Sequence, residues 1–203
     1  MQVTGIVPID KKRSRIFLDE EPAFILYKGE LRQLGINEGA EMREDTYGEI
    51  TERILPKRAK LRAMNLLKSR TYTEKQLRDK LADGEYPEDI IDQAIEYVSS
   101  YNYINDSRYA EEYIRIHLAD KSRMRIKHDL LAKGISSEII VQAFESCSDE
   151  GFVIDELSQA EKLLKKRGYS KGQDADPKEW NRQYAFLARK GFPSEIIRKA
   201  LDS

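Results

Sequence analysis

The residues GYSKG at 168–172 match the G-x-S-x-G pattern of a nucleophile elbow, with Ser170 as the attacking group. That geometry requires a strand before the serine and a histidine after it in the chain. Here a Lys-rich helical stretch precedes Ser170, and both histidines, His117 and His128, come earlier. The pattern therefore reads as a loop that ends a helix. His117, His128 and the single cysteine, Cys147, lie too far apart for zinc-ligand spacing. Gly29, Gly35 and Gly39 fit neither a dinucleotide fingerprint nor a phosphate loop. Glu111 and Glu112 point to different sides of a helix, and Glu111 stands four residues before Arg115, the spacing of an ordinary ion pair. No nucleophile, base or metal set converges, so neither catalysis nor a cofactor is expected.

What the chain offers instead is charge. Its 203 residues include 35 Lys and Arg against 36 Asp and Glu, a formal net charge of -1. Charged residues make up 35% of the chain, against about 25% in an ordinary domain. The signs are segregated. Arg53, Lys57, Arg58, Lys60, Arg62, Lys68 and Arg70 follow one another with no acid between them. From Glu74 to Glu112, eleven acids meet four bases. Arg115, Lys121, Arg123, Arg125, Lys127 and Lys133 then face Asp120 and Asp129, and LLKKRGYSK is basic again. Blocks of alternating sign suit a partner that itself carries both signs. The near-zero sum argues against non-specific DNA binding as the main source of affinity.

The elements that carry these charges are of two kinds. VTGIVPI, RIFL and AFILY are β-branched and aromatic runs separated by the turns DKKRS and DEEP, predicting a small antiparallel sheet. Such a sheet is marginal alone and should pack on a neighbour. From about Tyr47 the apolar spacing becomes helical, with Ile50, Ile54, Leu61, Met64 and Leu67 on one period. Pro56 should end or kink a helix. Gly84, Gly134, Gly168 and Gly191 fall where helices should stop.

An internal repeat organises the helical part. LADGEYPEDIIDQAIEYV, LAKGISSEIIVQAFESC and LARKGFPSEIIRKALDS align. Each has a leucine, a stop glycine, a Pro or Ser start, an acid in the first turn (Asp89, Glu138, Glu195) and an amphipathic stripe. The stripes are Ile90, Ile91, Ala94, Ile95, then Ile139, Ile140, Ala143, Phe144, then Ile196, Ile197, Ala200, Leu201. Pro87 and Pro193 suit the first helical position. Cys147 holds the position of Val98, a small buried hydrophobe. Each unit has room for three short helices, and the last is lengthened by the loop GYSKGQDADPK. The expected fold is mainly α: three tandem three-helix repeats at 46–103, 104–149 and 150–203 after a β module at 1–45. One cysteine rules out an internal disulfide framework and fits a reducing compartment. MQVTGIVPIDKKRSR lacks a signal-peptide core, and no apolar run nears the roughly 20 residues of a membrane span. A cytoplasmic protein with no membrane partner is expected.

Residues 59–147 also resemble the RecX family of bacterial recombination regulators. The resemblance rests on Leu67, Arg70, Thr73 and Leu77, on Asn105, Asp106, Arg108, Tyr109 and Ala110, and on Ile126, Leu130, Lys133, Gly134 and Ile135. The family often carries a lysine-glycine pair before its basic segment, where ADKSRMRIK has Ser122. The third unit fits more loosely, and the N-terminal strands resemble an extension of some members. The resemblance implies an elongated, curved array, a monomer without catalysis. Its partner would be the RecA–DNA filament, whose ATP hydrolysis and strand exchange it suppresses. Arg123, Arg125, Lys127 and Lys133 are the first partner-binding candidates, followed by Arg62, Lys68, Arg70, Arg108, Lys165, Lys166 and Arg167. The alternatives are a helical scaffold for another protein and a direct single-stranded nucleic-acid-binding module, with single-stranded DNA as a further partner. For the latter, Tyr72, Tyr101, Tyr103, Tyr109 and Tyr113 are stacking candidates, or else packing between units.

Overall fold

The computed structural model describes residues 1–152, 154–169 and 176–202. Ser170 and Gly172 of the elbow-like pattern lie outside the described residues. The chain divides into two compact units, Met1–Ile104 and Asn105–Ser203.

The first unit opens with strands β1 (Val3–Pro8), β2 (Arg13–Leu18) and β3 (Glu21–Tyr27), antiparallel in that order. Ile16 pairs with Ile6 and with Phe24. Along β2 the pleat turns Ser14, Ile16 and Leu18 inward, the period-2 pattern of a sheet covered on one face. The cover is helical. Ile16, Leu18, Phe24 and Leu26 share one core with Ile50, Leu55, Ala59, Leu77, Leu81 and Ile90. The sheet thus buries itself against the first repeat, as its size demands. Two short helices, α1 (Lys28–Leu34) and α2 (Glu44–Gly48), follow the sheet.

Pro56 does not break the chain. A π-helical turn, Glu49–Ile54, runs directly into α3 (Leu55–Ser69), whose first turn holds the proline. The wider turn accommodates a ring that cannot follow an ordinary helical turn. Helices α4 (Glu74–Ala82) and α5 (Glu88–Ser100) complete the unit. The second unit holds α6 (Asp106–His117), α7 (Arg123–Ala132), α8 (Ser137–Asp149), α9 (Glu156–Lys166), α10 (Pro177–Arg189) and α11 (Ser194–Asp202). The same pairing recurs in each triplet: α3 packs on α5, α6 on α8 and α9 on α11. The stripes read from the repeat are largely the buried ones, including Ile90, Ala94, Ile140, Ala143, Ile197 and Ala200. Cys147 and Val98 are both buried.

The turns between second and third helices refine the repeat. Gly134 and Gly191 are left-handed, with φ of 88° and 85°, and each stands four residues after a buried leucine, Leu130 or Leu187. The amides of Ile135 and Phe192 donate back to those leucines at 3.2 Å, closing the helix in a Schellman turn. In the first triplet the left-handed residue is Glu85, φ 55°, four after Leu81, and not Gly84. The leucine that aligns by text in LAKG, Leu131, is exposed. Pro87 and Pro193 each sit just before the first helical residue of α5 and α11. Glu85 tolerates its conformation beside Arg15 of β2, which grips its carboxylate at 2.5 and 2.7 Å.

Candidate partner-binding surface

The basic segment at 121–133 is shaped by Ser122. Its hydroxyl caps α7 by accepting from the Arg125 amide at 3.2 Å. It also donates to the Lys190 carbonyl at 3.0 Å, at the end of α10. Ser122 is fully buried between the two triplets of the second unit. Two further bonds fix this seam. The Arg123 amide donates to Glu156 at 2.8 Å, and the Gln159 amide donates to the Leu118 carbonyl.

Beside the seam lies an open cleft of about 520 Å³, lined by Asp120, Lys121, Arg125, Phe186, Arg189, Lys190 and Phe192. Four cations meet one carboxylate there, a wall suited to an anion. Asp129 organises one side. It receives Lys121 at 2.9 Å, the Tyr113 hydroxyl at 3.0 Å and Arg125 at 3.1 Å. Burial alone would raise the Asp129 pKa, but the hydrogen bonds from Lys121 and Tyr113 carry it below the usual carboxylate range. Burial likewise opposes the Lys121 charge, and its bonds to Asp129 and Tyr113 outweigh that and raise its pKa. Both groups stay charged at neutral pH. His117, 4.3 Å from the Tyr113 ring, is displaced the other way by burial and by the Lys121 charge, and its pKa is lowered.

The structure sorts the candidates read from the sequence. Arg125 faces the cleft. Arg167 reaches its wall, with the guanidinium 4.2 Å from the Phe186 ring and Nε donating to Gln183 at 2.9 Å. Arg123 turns to a different hollow, 4.3 Å from the Phe144 ring. Lys133 lies over Tyr109 and Tyr113 at 5.8 and 5.5 Å. Lys127 is half-buried, and Arg108, Lys165 and Lys166 are exposed. In the first unit Arg62 and Lys68 are exposed on α3, and Arg70 covers the Tyr72 ring at 4.3 Å. Arg58 of the same basic block belongs to the fold: it bonds Glu30 at 3.0 Å and the Ile25 carbonyl at 2.5 Å. Arg189, Lys190 and Phe186 were not among the candidates. The only sign of them in the sequence is the arginine-lysine pair before Gly191. Among the described residues no group of three or more His, Cys, Asp or Glu side chains is placed to hold a metal ion. No helix among them is long and apolar enough to cross a membrane.

Three tandem three-helix units define a helical-repeat protein. The models of the first, second and third three-helix domains of RecX match residues 59–97, 105–143 and 154–201. The regulatory protein RecX of Caldanaerobacter subterraneus is 31% identical over 100% of this chain and 99% of its own. That of Clostridium botulinum is 30% identical over 93% of this chain and 88% of its own. The chain belongs to the RecX family. A crystal structure of a regulatory protein RecX superposes with a TM-score of 0.64 at 23% identity, covering 100% of this chain and 99% of that one. RecX from Lactobacillus salivarius gives 0.58 at 29% identity, over 73% of this chain and 97% of its own.

Proposed function

We propose that the protein binds the RecA–DNA filament and slows its ATP hydrolysis, strand exchange and growth, acting by binding alone and in the cytoplasm. The full-length likeness to proteins named regulatory protein RecX carries this reading. The physical chemistry supports it. A row of repeat units can touch more than one protomer of a filament and gain avidity. The cationic cleft between α7 and α10 offers contacts to acidic protein faces or to phosphates, while the acids of 74–112 offer the opposite sign. Arg125, with Lys121, Arg189 and Lys190, is the first contact set, and Arg123, Lys127 and Lys133 flank it.

The test is the DNA-dependent ATPase of the cognate recombinase. Substoichiometric protein slows it. An unchanged rate over a full titration sinks the reading.

A further inference from the structure

In the first unit two exposed tyrosines continue from a third, Tyr97, that packs on the core. Helix α5 ends at Ser100, and the chain turns back through Asn102, φ 56°. The Tyr103 amide then donates to the Val98 carbonyl at 3.0 Å. This turn lines up three rings. Tyr97 and Tyr101 have centroids 5.1 Å apart. Tyr101 and Tyr103 are 5.8 Å apart and nearly parallel, at 17°. Tyr101 is 57% and Tyr103 52% exposed. Beside them runs α3, where no acid occurs from residue 53 to 70. Lys60 places its ammonium 5.3 Å from the Tyr97 centroid. Met64, Leu67, Lys68 and Tyr103 line a largely apolar notch of about 310 Å³, at the small end of the range for ligand sites.

We propose that this tyrosine row is a docking site for a single nucleic-acid strand, its bases stacking on Tyr101 and Tyr103 and its phosphates meeting Lys60 and Lys68. Open aromatic faces in series beside a line of cations are what sequence-tolerant single-strand binding uses. A duplex keeps its base faces occupied and has nothing to lay on the rings. With Lys60 and Lys68 as the cations at the row, few phosphates are neutralised and stacking makes the larger contribution. The site needs no recombinase and stands apart from the filament reading.

The full chain is titrated against a labelled oligothymidylate at low salt without recombinase, reading anisotropy and intrinsic tyrosine quenching. Binding is expected, and Tyr101→Ala and Tyr103→Ala should each weaken it roughly tenfold. Tyr→Phe at either position should hold affinity within about twofold, since the ring face is kept. Replacing Lys60 or Lys68 by alanine should lower the log–log salt slope by about 0.7 each. Should an alanine variant lose helicity, the exposed Lys68→Glu reads the same site without touching the rings. The absence of strand binding, or binding that the tyrosine and lysine variants leave unchanged, overturns the proposal. So does a pattern in which those variants bind the strand normally but no longer slow the recombinase, which would make the row a protein contact. Strand binding lost with ATPase inhibition intact upholds this site and leaves the filament reading untouched.

Discussion

Ser122 and Gly191 are fitted to each other: a Cβ placed on the glycine would come within 2.9 Å of the serine hydroxyl. The glycine is also left-handed, at φ 85°. One small residue thus leaves room for the bond from Ser122 to the Lys190 carbonyl.

Ser122→Ala removes the cap of α7 and the bond to the Lys190 carbonyl, a loss of about 1–2 kcal/mol. Gly191→Ala costs about 1–2 kcal/mol in backbone strain alone, before the clash with Ser122 is added. In urea unfolding the double variant should be more stable than the sum of the singles predicts, because removing the hydroxyl relieves the clash. Strict additivity would show that the two do not touch.

Asp129 should govern the acid limb of the stability curve. Its pKa is lowered in the fold, so its contribution is complete above the unfolded carboxylate value and fades as pH falls through the lower folded one. Asp129→Asn should flatten that part of the profile and lower the urea midpoint at neutral pH. It should also free Lys121 and Arg125 and tighten the cleft on polyanions.

His117 acts in a higher window. Its lowered pKa means the folded state favours the neutral ring. Its contribution is present above the unfolded value of about 6.5 and is lost as pH falls toward and through the folded one. The urea midpoint should drop between neutral and mildly acidic pH, and His117→Gln should remove part of that drop. An identical pH dependence in the variant would discount the histidine.

Charge reversal separates two readings of the basic segment. Reversing Arg123, Arg125 and Lys127 together should weaken recombinase inhibition without lowering helicity. Reversing Lys121, Arg125 and Arg189 should weaken it more, roughly tenfold or beyond, because these cations converge on one cleft. If helicity falls equally with inhibition, the residues are structural.

Glu85 tests a balance between backbone strain and its ion pair with Arg15 of the central strand. Glu85→Gly relieves a left-handed side chain, about 1 kcal/mol, and loses an exposed ion pair of little net worth, leaving stability nearly unchanged. Glu85→Ala keeps the strain and loses the pair, so it should be the less stable variant in thermal unfolding.

Much of the architecture is written in local pattern. The Ile-Ile-x-x-Ala stripes place α5, α8 and α11 because a helix must bury one face, and alternation along RSRIFL places β2. Other features depend on conformation more than on residue type. Aligning glycines hides the fact that Glu85, and not Gly84, takes the left-handed position, and so Leu131 stands in for the buried Leu130. Pro56 reads as a break because a π-turn leaves no signature in composition. The cleft was the least legible, since Arg125 and Lys190 are brought together by the ends of two helices far apart in the chain. Exposure is equally silent: Tyr72 is buried and Tyr101 is open, though nothing in residue type tells them apart.

The second unit keeps its two apolar clusters separate, one around Ile126 and Cys147, the other around Leu187 and Ile197. Substitutions inside either cluster are free to drift on their own, provided its volume is kept. The polar seam has no such freedom. Ser122 with Gly191 and Lys190, Arg123 with Glu156, and Gln159 with Leu118 are places where a change in one repeat calls for an answering change in the next. Paired substitution across lineages should therefore concentrate at these joints, while the clusters diverge one at a time.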